Sequence, residues 1–129
     1  MKKIVSGAAV MVATIGSLLA GTTAPATAQY AQNYGAIALS PSTGRIGYSA
    51  DYGNTNAAQD GAMSECSYND CRVVAWFSNG CGAVAYSSRT RMYTYGANSS
   101  RAAARTQALN RNGAGASVIH WNCTSGYSL

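Results

Sequence analysis

Residues 56–77, NAAQDGAMSECSYNDCRVVAWF, align without a gap with residues 101–122, RAAARTQALNRNGAGASVIHWN. In that register Ala57-Ala58 falls on Ala102-Ala103, Val73-Val74 on Val118-Ile119, and Trp76 on Trp121. Upstream, YGAIALS at 34–40 matches CGAVAYS at 81–87, and the second half loses two residues between its blocks. The same order of signals occurs twice, which is the mark of a duplicated supersecondary unit. Each unit reads strand, strand, helix, strand. Ile37 and Leu39 alternate with Ala36 and Ala38, as a strand requires. The cluster Ser40-Pro41-Ser42-Thr43-Gly44 is a turn, followed by a second strand near Arg45 to Ser49. Asn54 and its counterpart Ser99 are N-cap residues ahead of alanine-rich segments too short to be stable without packing. Arg72 to Phe77 and Ser117 to Asn122 are apolar on nearly both faces, which suits central strands. The expected fold is α+β: two ββαβ halves, about 34–80 and 81–124, share one antiparallel sheet. Two short helices pack on that sheet, and a pseudo-twofold axis relates the halves.

The chain has 129 residues, 47% hydrophobic and only 10% charged, which argues against a disordered protein. Part of that bias is a targeting signal. Lys2 and Lys3 precede an uncharged apolar run from Ile4 to Ala20, and Ala26-Thr27-Ala28 is a small-residue cleavage site. Residues 1–28 therefore read as a secretory signal peptide, and 29–129 as one mature domain beginning at Gln29. The apolar run is interrupted by Gly and Ser and is short for a membrane span, so no stable insertion is expected after cleavage. Both lysines go with the signal. Arg45, Arg72, Arg89, Arg91, Arg101, Arg105 and Arg111 then face Asp51, Asp60, Glu65 and Asp70, so the net charge falls from +5 to +3. That is too small for a nucleic-acid binder. The expected location is extracellular or periplasmic.

YGAIALSPSTG, the AA-containing helix, CRVVAWFSNGCGAVA and the second VIHWNC resemble the secreted bacterial family catalogued as domain of unknown function 4189. The resemblance spans about residues 34–124 and is most specific from Cys71 to Ala85. It implies a small exported domain with duplicated halves and no established catalytic residues. It also implies that a second-half cysteine pair is often present, whereas here Arg111 and Ala116 stand where the alignment places Cys66 and Cys71. Four cysteines allow three pairings. Cys66 ends the first helix and Cys71 opens the next strand, so one bridge closes that connection. Cys81 opens the second half and Cys123 ends its last strand, which leaves them for the other bridge. An even count in an oxidising compartment favours disulfides, and the spacings are not those of a zinc site.

Residues suited to catalysis are few. His120 is the single histidine, at the position matching Ala75, and no acid is near it in sequence. No G-x-S-x-G elbow occurs in the mature part, and no phosphate-cradling loop or other cofactor motif is present. Asp60 and Glu65 are five apart and do not share a helix face. The best binding candidate is Arg89 to Tyr95, RTRMYTY, read as a strand with Arg89, Arg91, Tyr93 and Tyr95 on one face. The repeat aligns Arg91 with Arg45. Two readings follow. One is a non-enzymatic binding module for a cell-envelope component or extracellular protein. The other is a small hydrolase with His120 hydrogen-bonded to Asp51, Asp60 or Asp70.

Overall fold

The computed structural model describes residues 32–127, so the expected signal peptide at 1–28 lies outside the described residues. The elements run β1 (Tyr34–Leu39), β2 (Ile46–Tyr52), α1 (Thr55–Cys66), β3 (Arg72–Ser78), β4 (Cys81–Ser87), β5 (Met92–Asn98), α2 (Arg101–Asn110) and β6 (Ser117–Cys123). This is the expected ββαβ order, twice. The strands form two antiparallel three-stranded sheets, ordered β2-β1-β3 and β5-β4-β6, rather than one. The centre of each sheet is β1 or β4, and the apolar strands β3 and β6 lie at edges.

The reason is that β1 and β4 bury both faces. Ala36 and Ala38 of β1 pack against Ala58, Ala62 and Cys66 of α1. Ala83 and Ala85 of β4 pack against Ala104 and Ala108 of α2. The opposite faces meet each other, with Ile37, Ala75 and Phe77 of one sheet against Val84 of the other. Four layers result: helix, sheet, sheet, helix. A single continuous sheet would leave the Ile37 and Val84 faces in water, which burial disfavours by about 25 cal/mol per Å². β3 is apolar on both faces for the same reason, because Val73 lies under α1 while Ala75 and Phe77 enter the inter-sheet layer.

The halves correspond strand by strand. Ile37 pairs with Tyr48 and Ala75, and Val84 pairs with Tyr95 and His120. A register shift falls between Ile37 and Ala38 against β3, and at the matching place, between Val84 and Ala85, against β6. The two missing residues are lost one at a time. Asn54 caps α1 through the Ala57 N–H, and Ser100, one past the expected Ser99, caps α2 through the Ala103 N–H. One residue is therefore dropped before α2 and one after it. Counting from the caps, Asn112 rather than Arg111 stands where Cys66 stands. Cys66 Sγ lies 3.7 Å from the Arg45 carbonyl. The Asn112 amide donates to the Met92 carbonyl at 3.0 Å, and its second bond reaches Thr94 Oγ1 at 2.9 Å. An amide thus ties the end of α2 to its sheet where the first half uses the Cys66–Cys71 bridge.

Small residues set the helix-to-sheet distance. A Cβ at Gly47 would strike the Ala62 carbonyl, and one at Gly96 would strike the Ala104 carbonyl. Disulfides hold the ends. Cys66 is bonded to Cys71 and Cys81 to Cys123, the expected pairing. The second bridge joins directly paired positions of β4 and β6, so it staples the second sheet. On loop entropy, replacing Cys66 and Cys71 by Ala costs about 2 kcal/mol, and replacing Cys81 and Cys123 costs about 4 kcal/mol. Urea denaturation of the two double variants measures this. A larger loss from the shorter loop would contradict the account.

Candidate functional site

The arginine–tyrosine strand face is not formed. β5 begins at Met92, so Arg89 and Arg91 belong to the preceding turn. Arg91 has φ 60° and donates its N–H to the Ser87 carbonyl at 2.7 Å. Gly44 does the same in the first half, at φ 76° and 2.7 Å from the Ser40 carbonyl. The counterpart of Arg91 is therefore Gly44, and that of Arg45 is Met92. Arg45 instead donates to the Glu65 carbonyl at 3.3 Å. Tyr93 and Tyr95 turn into the inter-sheet layer, where Tyr93 sits 4.5 Å from the Tyr86 ring. Burial, then the neighbouring Tyr86 and Tyr95, push the Tyr93 hydroxyl up.

The inter-sheet layer has two long sides, β2 against β6 and β3 against β5. The β2/β6 side is sealed. The Tyr48 and His120 rings lie 4.8 Å apart, and His120 Nε2 is 3.0 Å from Asn122 Oδ1. The Asn122 amide donates to the Ser49 carbonyl at 3.0 Å, and the Tyr48 N–H donates to the Glu65 carboxylate at 2.7 Å. Asp51 accepts the Ser125 N–H and hydroxyl at 2.8 and 2.5 Å, latching the chain beyond β6 to β2. Burial lowers the His120 pKa, opposed by the Asn122 bond and the Glu65 charge. The acid expected beside His120 is not there. Asp51 holds Ser125, and Asp60 is exposed on α1. Asp70 accepts from the Ser40 hydroxyl and the Ser42 N–H, which hold its pKa at about 2.

The β3/β5 side is open. A cavity of about 210 Å³ lies among Val74, Ala75, Tyr95, Gly96, Ala97 and Arg111, with Trp76 beside it. A second, of about 280 Å³, continues past Trp76 and Ala97 to Ser78, Asn98 and Ser99. The opening follows from three paired positions. Ala75 stands where His120 stands and Tyr95 where Tyr48 stands. Arg111, eleven residues past its cap like Glu65, completes the set. Its guanidinium donates to the Tyr95 carbonyl at 2.8 Å. The sealing ring is gone, and the charge beside it is reversed.

The tryptophans differ in the same direction. Trp121 is 36% exposed and carries Arg101, with the guanidinium carbon 4.9 Å from the ring centroid. Arg101 Nε is buried with no hydrogen-bond partner, and the indole face is what its guanidinium has instead. Thr55 stands at the position matching Arg101, and Trp76, the counterpart of Trp121, is 56% exposed. Among the described residues no three His, Cys, Asp or Glu side chains cluster as a metal site. Of the five binding residues expected from sequence, only Tyr95 lines the cavity. Ala75 and Arg111 are not among the residues the sequence points to: the Ala75/His120 mismatch is visible in the ungapped alignment, whereas that alignment sets Arg111 against Cys66 and the Glu65/Arg111 pair emerges only from the cap positions.

The chain matches the family description Domain of unknown function (DUF4189) over residues 34–123. It is 41% identical over 96 residues to Protein Rv1269c of Mycobacterium tuberculosis and, equally, to Protein Mb1300c of Mycobacterium bovis. Each match covers 74% of this chain and 73% of the relative. The fold is also similar to the NMR structure of Rv1813c from Mycobacterium tuberculosis, with a TM-score of 0.60 and 35% identity. That match covers 70% of this chain and 74% of the other.

The sealed side makes stability depend on pH. His120 has a native pKa below its ordinary 6.5, so its contribution is complete above that pH and is lost as pH falls through the native value. Thermal unfolding followed from pH 7.5 to 5 is expected to show the midpoint falling, and His120→Phe to flatten the fall. An unchanged slope in that variant would show that another group titrates.

Proposed function

Because the chain belongs to the family named Domain of unknown function (DUF4189), which assigns no activity, we propose a function from the site itself. The protein is an exported, non-enzymatic binding module that takes its ligand at the β3/β5 side of the inter-sheet layer. The observation that carries this reading is the contrast between the two sides. One scaffold sealed by Tyr48, His120 and Asn122 is repeated with Tyr95, Ala75 and Phe77, and a cavity stands there.

Several observations support export. Residues 1–28 have the charge, apolar run and cleavage site of a signal peptide. Both disulfides suit an oxidising compartment. Among the described residues, no helix is long and apolar enough to cross a membrane. The ligand is then something met outside the cytoplasm, such as an envelope component or extracellular protein, rather than nucleic acid.

The non-enzymatic reading rests on His120. General acid–base work needs a proton partner within hydrogen-bond reach. His120 has an amide there and a tyrosine ring on its face, both explained by sealing the layer. Arg45, Arg89, Arg91 and Tyr93 do not line the cavity, so the binding role passes to Tyr95, Arg111 and the walls around Ala75.

Amide chemical-shift maps of the purified, oxidised protein against fractionated culture fluid and envelope extract test this reading. Perturbations are expected at residues 74–76, 95–97 and 111. His120→Ala is expected to leave them in place. Perturbations centred on Tyr48 and His120, with turnover of a fraction that His120→Ala abolishes, would establish the hydrolase instead.

A further inference from the structure

We propose that the β3/β5 cavity binds a small aromatic carboxylate: a planar ring stacked on Tyr95 with its acid group on Arg111. This rests on the reading of that side as the binding site and adds the class of ligand. The sealed side of the same molecule supplies the template.

There, a planar ring, the imidazole of His120, lies 4.8 Å from Tyr48, within the range of stacked and tilted aromatic pairs. On the open side Tyr95 holds the strand position of Tyr48, while Ala75 ends at Cβ where His120 extends a ring. Ala75 and Tyr95 both line the cavity of about 210 Å³. A cavity of roughly 150 Å³ suffices for benzene, so one ring and a small substituent fit. The walls, Val74, Ala75, Ala97 and the backbone of Gly96, suit an apolar body.

Charge selects the substituent. On the sealed side the Glu65 carboxylate accepts the N–H of Tyr48, the ring partner of His120, at 2.7 Å, and the His120 ring is a base. On the open side the matching position is Arg111, so the complementary ring is an acid. No carboxylate lines either cavity to compete for that guanidinium. One Arg111 N–H is bound to the Tyr95 carbonyl, which orients the group. The remaining donors of its planar fork match a carboxylate. The register shift beside Val74 twists the free edge of β3, which disfavours continuous pairing with an extended peptide and leaves side-chain recognition as the mode.

Calorimetric titration of the oxidised protein with phenylacetate, phenylacetamide and adenosine monophosphate tests the proposal. The acid is expected to bind at least tenfold more tightly than the amide. Arg111→Gln is expected to reduce the acid to the affinity of the amide. Ala75→His, which installs the ring present on the sealed side, is expected to abolish binding, with the thermal midpoint as the control for folding. Equal affinity for acid and amide, or an Arg111→Gln variant that binds as well as the parent, overturns the proposal. Preference for the nucleotide also overturns the carboxylate class. In any of these cases, extract-induced shifts at residues 74–76 and 95–97 would preserve the site. Loss of those shifts as well would remove the site and the ligand class together.

Discussion

The layer in which Ile37, Ala75 and Phe77 meet Val84 is the contact on which everything else depends. Each three-stranded sheet has an alanine face that its own helix covers and a larger apolar face that nothing in its own half covers. Half a chain of this size is too small to sustain a core alone. The two halves therefore complete each other. Phe77, the single phenylalanine, reaches across the join. A Cβ at Gly35 or at Gly82, the matching glycine of the other half, would strike its ring. Neither glycine is there for a turn. Both leave room for one side chain that the second half replaces with Asn122.

That replacement shows how one scaffold comes to have two different sides. Packing two sheets face to face fixes the centre of the layer and leaves its long sides to be finished by whatever the edge strands carry. β6 carries His120 and Asn122, which spend their polar atoms on each other and on the Ser49 carbonyl. β3 carries Ala75 and Phe77 at those positions, which fill the centre of the layer but leave a cavity along that side. Stability is served by the first arrangement and access by the second. Arg101 over Trp121 repeats the contrast, because Thr55 stands at the matching position of the first half.

Much of the fold is legible in the sequence because its signals are local. Alternation at 34–39, the turn at 40–44, the cap at Asn54 and the alanine spacing each act within a few residues. The cysteine pairing follows from where those elements end. The number of sheets is not local. Continuous apolarity says that both faces of a strand are buried, but not whether the second face meets a helix or another sheet. Ungapped alignment also hides the drift of the repeat, because it takes both losses ahead of α2 although one falls after it. Ser99 and Arg111 were therefore each placed one residue from the structural counterpart. Arg91 is misleading for a related reason. It occupies a left-handed position that glycine fills in the first half, so its strand-like neighbours do not include it. The candidate site is the least legible part, because it consists of what is missing: a ring at Ala75. An absence acquires meaning only against the copy that retains the group.

Native-state hydrogen exchange tests most directly whether the halves share one core. The account predicts that the slowest amides of β1 and β4, around Ile37 and Val84, exchange through one opening whose free energy equals that of global unfolding. Exchange of one central strand at a free energy lower by more than about 1 kcal/mol, while the other stays protected, would show that the halves unfold separately. The inter-sheet layer would then not be the contact that holds the protein together.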